Sequence, residues 1–442
     1  MKKLNKYILG ICLLLCFSLV SCNNGQISES SQTYLNAVDE MKSLFKNTTN
    51  PFLFKNCSED QWNLAIDKLK ADIKKNKMSD DDVYYRMQEI CAMLKNGHSL
   101  LFKLNEDDEN YFPIAGQYIG DDFYIAGADS KYNDILGAQI ISINGISFAD
   151  IEKKYSKIVS AENNQWLRAT IAKSGFKESA FRYLGIWKNT NKFKVKKLDG
   201  SVETVSIDVV PDKDYSSIIS DTNNYFAFDK ISNSIRYKKP DNAYPQYWYT
   251  LDSGNRILYF QYTTCLDKYD TDLNNPLIDL SKYPNFLEFS KSLIDFMNKN
   301  NSKFDKIVVD VSANGGGKAE HLDTLINENL ALFKAKKVYA IMTKNTFSAG
   351  TMAVNTLVEK CNATMIGEET GGAIQLDSAN FFQLSSLPIG VEKANYDEEV
   401  LNYVGKNSED DMDGAIPDIK VDMSIQDVLN GVDPYYQAVI DN

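Results

Sequence analysis

Two short segments of this chain carry the residue types that acyl transfer requires. Asp310-Val311-Ser312-Ala313-Asn314-Gly315-Gly316-Gly317 offers bare backbone N–H groups, and Thr346-Phe347-Ser348-Ala349-Gly350 offers a hydroxyl. Each follows an apolar run, Lys306-Ile307-Val308-Val309-Asp310 or Val338-Tyr339-Ala340-Ile341-Met342, and opens into a helical pattern. The runs read as parallel strands buried on both faces, with their carboxyl ends side by side. That arrangement brings oxyanion donors to a nucleophile at a helix start. The N–H groups of Gly316 and Ala349 are the expected donors, although sequence does not distinguish Gly316 from Gly315 and Gly317. A phosphate cradle is the competing use of such a loop, but the spacing G-x-x-x-x-G-K-[ST] is absent.

A serine hydroxyl is a poor nucleophile until a base takes its proton. The chain has two histidines, His98 and His321. His98, in Asn96-Gly97-His98-Ser99, follows a helical pattern, and a helix C-terminus would raise its basicity. It is the expected general base; its bland alternative is a cap on a helix carbonyl. His321 reads as a residue of a helix surface. Two histidines cannot build a His-rich zinc site and no cysteine pair has metal-ligand spacing, so neither metal nor cofactor is expected.

The series D-x-x-x-N-G-G-G, S-A-G, Ile366-Gly367-Glu368-Glu369-Thr370-Gly371-Gly372 and Gly414-Ala415-Ile416-Pro417-Asp418-Ile419 resembles the tail-specific (C-terminal processing) serine protease family. The resemblance covers the second half of the chain. It implies a catalytic domain of the ClpP/crotonase-like type and a peptide or protein substrate. Most members place a lysine in G-E-x-T-x-G-K-G, where this chain has Ala373. Lys360, the only lysine between Ser348 and Lys393, lies deep in a helical pattern. The tricorn-like branch instead uses a histidine upstream, often in G-H-[ST], and so points to His98. That branch also enlists a glutamate before the G-x-x-P-D segment. Asp411 stands at that position with Glu409 close by, while Ser99 follows the histidine rather than preceding it. A solvated loop is the other use of Glu409-Asp410-Asp411. The resemblance therefore implies a serine endopeptidase; the alternative is an inactive relative on the same fold that binds peptides or apolar ligands.

The elements that must position these groups fall into successive textures. Met1-Lys2-Lys3-Leu4-Asn5-Lys6, an apolar run from Tyr7 to Val20, and Ser21-Cys22 read as a bacterial lipoprotein signal over residues 1–21, the run being shorter than the roughly 20 residues that cross a bilayer. Cys22 would carry lipid and tether the protein to the cell envelope, at the outer membrane or cell surface, through the polar segment 22–32. Residues 33–105 have helical periodicity: Tyr34, Val38, Met41 and Phe45 share one face, as do Trp62, Ile66, Leu69 and Ile73, and Val83, Met87, Ile90 and Leu94. Ser58 with Gln61 makes a capping box, Ser79 precedes three aspartates, and Gly97 is the expected stop of the third helix.

Residues 112–212 turn β-rich, with turns at Gly120-Asp121, Asn144-Gly145 and Asp199-Gly200. Gly137 to Gly145, followed by a helix with Ile151, Tyr155 and Ile158, resembles the closing half of a PDZ domain, whose groove captures extended peptides. A structural spacer is the other reading. Residues 225–442 alternate strands and helices, so the expected class is α/β, multidomain (α+β). A net charge of −12 without a basic patch excludes phosphate-backbone binding, hence nucleic acid. Cys57, Cys91, Cys265 and Cys361, scattered singly, read as buried small hydrophobes.

Overall fold

The computed structural model describes residues 28–47, 50–75, 77–221, 234–241, 243–273, 275–276, 278–373, 378–395 and 414–442. The signal sequence, Cys22, Glu409 and Asp411 lie outside the described residues. Helices α1 (Glu29–Lys46), α2 (Glu59–Lys75) and α3 (Asp80–Ala92) form where the 3.6-residue period is unbroken. Tyr34, Val38, Met41 and Phe45 are buried, as are Trp62, Ile66, Leu69 and Ile73, and each full burial of such a side chain contributes about 1.5–3 kcal/mol. Ser58 and Gln61 exchange hydrogen bonds at the start of α2, and Ser79 with Asp82 closes a capping box on α3. That third helix stops at Ala92, with Met93 as its cap and Lys95 at a φ of 49°. Gly97 therefore serves another purpose than ending the helix. Strand β1 (Leu100–Lys103) follows.

Strands β2 (Ile114–Ile119), β3 (Asp122–Ala128) and β4 (Gln139–Ile143) build an antiparallel sheet in chain order. Asn144 and Gly145, at φ 54° and 84°, make the tight turn after β4. Helices α4 (Phe148–Tyr155) and α5 (Asn164–Ser174) come next, before β5 (Lys192–Lys196) and β6 (Val202–Ser206) complete the sheet. Phe123, Phe148 and Phe176 pack ring against ring between sheet and helices.

The remaining chain winds a second sheet from β7 (Tyr247–Asp252), β8 (Ile257–Tyr262), β9 (Lys306–Asp310), β10 (Lys337–Met342) and β11 (Thr364–Gly367). Helix α6 (Phe286–Lys299) crosses from β8 to β9, α7 (Glu320–Glu328) follows β9, and α8 (Ala349–Cys361) follows β10. A hairpin of β12 (Ser378–Gln383) and β13 (Ile389–Asn395) then leaves the sheet, before β14 (Ile419–Lys420) rejoins it and α9 (Pro434–Asp441) ends the fold. The strand order is β7-β8-β9-β10-β11-β14, parallel from β8 onward, with Val308 opposite Tyr339. Both faces of β9 and β10 are covered, so their apolar runs do not alternate. Capped by Asp433 with Pro434 in its first turn, α9 packs on one face, and α6 to α8 pack on the other.

Hairpin β12–β13 ties the two halves together. Its inner strand pairs antiparallel with β1, setting Leu100 opposite Glu392. Leu384, Ile389, Val391 and Ala394 of the hairpin share a single core with α1 to α3 and the middle sheet. Within the second half an ionic cluster ties strand to helix: Arg236 bonds Asp310 at the end of β9, Asp433 before α9, and the Ser312 hydroxyl. Asp310 is fully buried; burial raises its pKa, but the guanidinium and the Ser312 and Tyr259 hydrogen bonds outweigh this and hold it below the usual carboxylate range. All four cysteines of the described residues are buried and unbridged. Among the described residues no helix is long and apolar enough to cross a membrane.

Candidate active site

The Ser348 loop is shaped by the two parallel strands and by close approaches around it. Ser348 itself adopts φ 50° and ψ −129°, a conformation that costs a side-chain-bearing residue about 1–3 kcal/mol and persists only where neighbours enforce it. The enforcing contacts are visible. Thr346 Oγ1 donates to Val311 O and accepts from Thr343 N, Phe347 N donates to Asn314 O, and Gly372 N donates to Thr346 O. Asn314, fully buried, is the knot between the loops: its Nδ2 donates to Tyr262 O while its Oδ1 accepts from Gly316 N at 2.9 Å. A Cβ at Gly350 would lie 2.3 Å from Asn314 O, so that glycine permits the approach.

His98 arrives from the other half of the molecule. Its Nε2 lies 3.0 Å from Ser348 Oγ, and its Nδ1 lies 2.5 Å from Glu392 Oε1 on β13. The Leu100–Glu392 register explains the second contact, since His98 sits two residues before Leu100. A carboxylate at Nδ1 keeps the proton there, which leaves Nε2 as the acceptor for the serine hydroxyl. His98 and Glu392 are nearly enclosed, with side chains 10% and 17% exposed, so water screens the pair weakly.

The structure thus brings Ser348 and His98 together and adds Glu392, which sequence reasoning missed. Glu409 and Asp411, expected to support the histidine, lie outside the described residues, and the Nδ1 position is taken by Glu392. The only local trace of it is the charged pair Glu392-Lys393 in the otherwise apolar run Ile389-Gly390-Val391-Glu392-Lys393-Ala394, which does not single out a partner for His98. The expected source of basicity also changes. With α3 ending at Ala92, His98 lies beyond the final turn, where the helix dipole has faded, and the carboxylate supplies the stabilising charge.

Gly316 is corrected as an oxyanion donor, because its N–H is spent on Asn314 Oδ1. A bridge to Cys265 turns the next residue outward: Gly316 O and Lys318 N face Cys265, and Gly317, at φ 131°, presents its own N–H to the opposite side. Neither Gly317 N–H nor Ala349 N–H has an acceptor among the described residues, and both residues line the same cleft as Ser348. That cleft has a volume of about 530 Å³ and an apolar wall that includes Leu100, Leu266, Ile278, Met352 and Phe381. Leu266 and Ile278 come from the segment between β8 and α6.

The remaining candidates lie elsewhere. Ala373 is buried and bridges Gly414, and Lys360, at the far end of α8, pairs with Asp323. His321 is not a simple surface residue, because its Nε2 meets the buried Asp270 carboxylate at 3.0 Å. Burial pushes the Cys265 thiol up to about 12, so a cysteine beside the glycine loop is no rival nucleophile. Among the described residues no cluster of ligating side chains could hold a metal ion.

No protein-family model and no curated protein matches this chain. Solved structures do. Mature CPAF complexed with lactacystin superposes with a TM-score of 0.61 at 12% identity, over 93% of this chain and 97% of that one. Mature CPAF alone gives 0.59 at 12% identity, over 93% and 96%. A tricorn protease gives 0.41 at 15% identity, over 94% of this chain and 37% of that one, a likeness too slight to argue from. At such identities the CPAF likeness is one of architecture, and it shows that helices, middle sheet and parallel sheet together form a multidomain α/β fold shared along nearly the whole length of both chains.

Proposed function

We propose that this protein is a serine endopeptidase of the tail-specific type. The observation that carries the reading is the relay Ser348 Oγ, His98 Nε2 and Nδ1, Glu392 Oε1 at 3.0 and 2.5 Å, set in a cleft beside two unengaged N–H groups. Ser348 attacks a peptide carbonyl while His98 takes its proton, giving a tetrahedral oxyanion held by Gly317 and Ala349 N–H. His98 then returns the proton to the leaving amine, the acyl-enzyme forms, and water repeats the cycle. A donor pair of this kind is worth roughly 3–4 kcal/mol per donor at the transition state. The apolar wall suits substrates with apolar side chains near the scissile bond. The Lys2 to Cys22 pattern adds the proposal of lipid attachment at Cys22 in the cell envelope, which intact-mass analysis of membrane-extracted protein tests.

The enzymatic reading is tested by labelling with a fluorophosphonate. Wild type is expected to label, Ser348→Ala to show no labelling, and His98→Ala to label at least about 100-fold more slowly, within the range attributed to a positioned base. Equal labelling of all three would remove the assignment.

A further inference from the structure

The turn that carries His98 is held by a segment of the middle region. Ser160 Oγ accepts from Asn96 N at 3.2 Å and lies 2.7 Å from Asn96 O, while Glu162 Oε1 accepts from Gly97 N at 2.7 Å. Four residues on, in the first turn of α5, Trp166 stacks on Phe347 with ring centroids 3.7 Å apart and planes within 7°. Phe347 immediately precedes Ser348 and also packs against the His98 ring at 4.9 Å. Asn163 fixes this turn from both sides, accepting from Trp166 N and donating to Thr370 O beside the serine loop. Gly97 is the residue that allows the convergence, because a Cβ there would lie 2.7 Å from Phe347 and 2.8 Å from Trp166 Nε1.

We propose that Glu162 and Trp166 are positioning residues that set the Ser348–His98 distance, so that the middle region holds the reacting pair in register. The inference rests on the Ser–His reading above. Glu162 reaches His98 through the Gly97 amide, and Trp166 reaches Ser348 through Phe347; one short segment therefore grips both partners. Of the two, Glu162 does not line the cleft, so its effect falls on turnover rather than on substrate binding.

Glu162→Ala is expected to lower kcat about 10- to 100-fold with KM nearly unchanged, the scale of an ångström-level misplacement of reacting groups. Glu162→Gln keeps an oxygen acceptor for Gly97 N–H and should restore most of the rate. Trp166→Leu should slow fluorophosphonate labelling similarly, and Trp166→Phe should recover it. A readout independent of activity is imidazole ¹⁵N NMR, with the His98 signals identified in a His321→Gln background. Displacement of the His98 ring in Glu162→Ala, with native near-UV circular dichroism, is the expected result. Wild-type ring signals and kcat in Glu162→Ala and Trp166→Leu, or rate losses that merely follow the folded fraction, would overturn the proposal. If wild type itself does not label, the hydrolase reading falls while the NMR comparison still decides whether the segment positions the ring.

Discussion

The two sides of the candidate site are held in opposite ways. Ser348 stands where two parallel strands end, and backbone hydrogen bonds from Asn314, Thr343, Thr346 and Gly372 fix its loop within a single sheet. His98 stands on a turn outside any helix or strand, held by side chains from three places: Glu392 on β13, Glu162 before α5 and Phe347 beside the nucleophile. The nucleophile side can therefore carry backbone strain that the base side could not. Conversely, single side chains decide the base side, whereas the serine side is buttressed redundantly.

The sharpest way to break this contrast is Glu392→Gln. The amide cannot hold the Nδ1 proton as a carboxylate does, and the corresponding carboxylate-to-amide change in a well-studied serine protease costs about 10⁴-fold in kcat. A loss of about 10³- to 10⁴-fold with little change in thermal midpoint is expected from steady-state kinetics and calorimetry. Activity near wild type would mean that the base is supported from elsewhere.

Beneath the serine loop, Arg236→Met should produce the reverse pattern, a large loss of stability, because it leaves Asp310 buried and unpaired. About 3–5 kcal/mol is expected in denaturant unfolding at neutral pH. The pH dependence follows from the depressed pKa of Asp310: its stabilisation is complete above the unfolded value of about 3.9 and is lost as pH falls through the lower folded value. The difference between wild type and Arg236→Met is therefore largest at neutral pH and narrows on acidification, starting above about pH 4 because the buried carboxyl left without its guanidinium takes up a proton more readily. A gap that widens with acid would reverse the assignment.

The smallest effect concerns Ser348 itself. Glycine accepts a φ of 50° without penalty, so Ser348→Gly should be more stable than Ser348→Ala by about 1–3 kcal/mol, less the entropy glycine loses on folding, although both are inactive. Equal stabilities would show the loop to be unstrained.

This contrast also explains what could be read in advance. The serine loop is local, a strand, a turn and a helix start within a few residues of each other, so apolar runs and glycines disclose it. His98 was legible by scarcity, one of two histidines behind a helical segment. Glu392 was not, because its contact depends on β13 leaving the parallel sheet to pair with β1, and no local pattern encodes that register. Gly316 was expected to offer a free N–H and instead meets Asn314 Oδ1, since the orientation of consecutive glycines depends on the bridge to Cys265. Gly97 was read as a helix stop because local rules do not include the rings of Trp166 and Phe347, which come from distant segments.

The pairing of β1 with β13 has a consequence for the time course of synthesis. His98 and Glu392 are separated by 294 residues, and the serine lies between them. A chain that has emerged only as far as α8 possesses both nucleophile and imidazole yet lacks the strand that sets the imidazole's tautomer. Closing so long a loop is among the slow, late events of folding. On the proposed reading the connectivity acts as a timer: His98 gains its supporting carboxylate only once β13 has been made and docked.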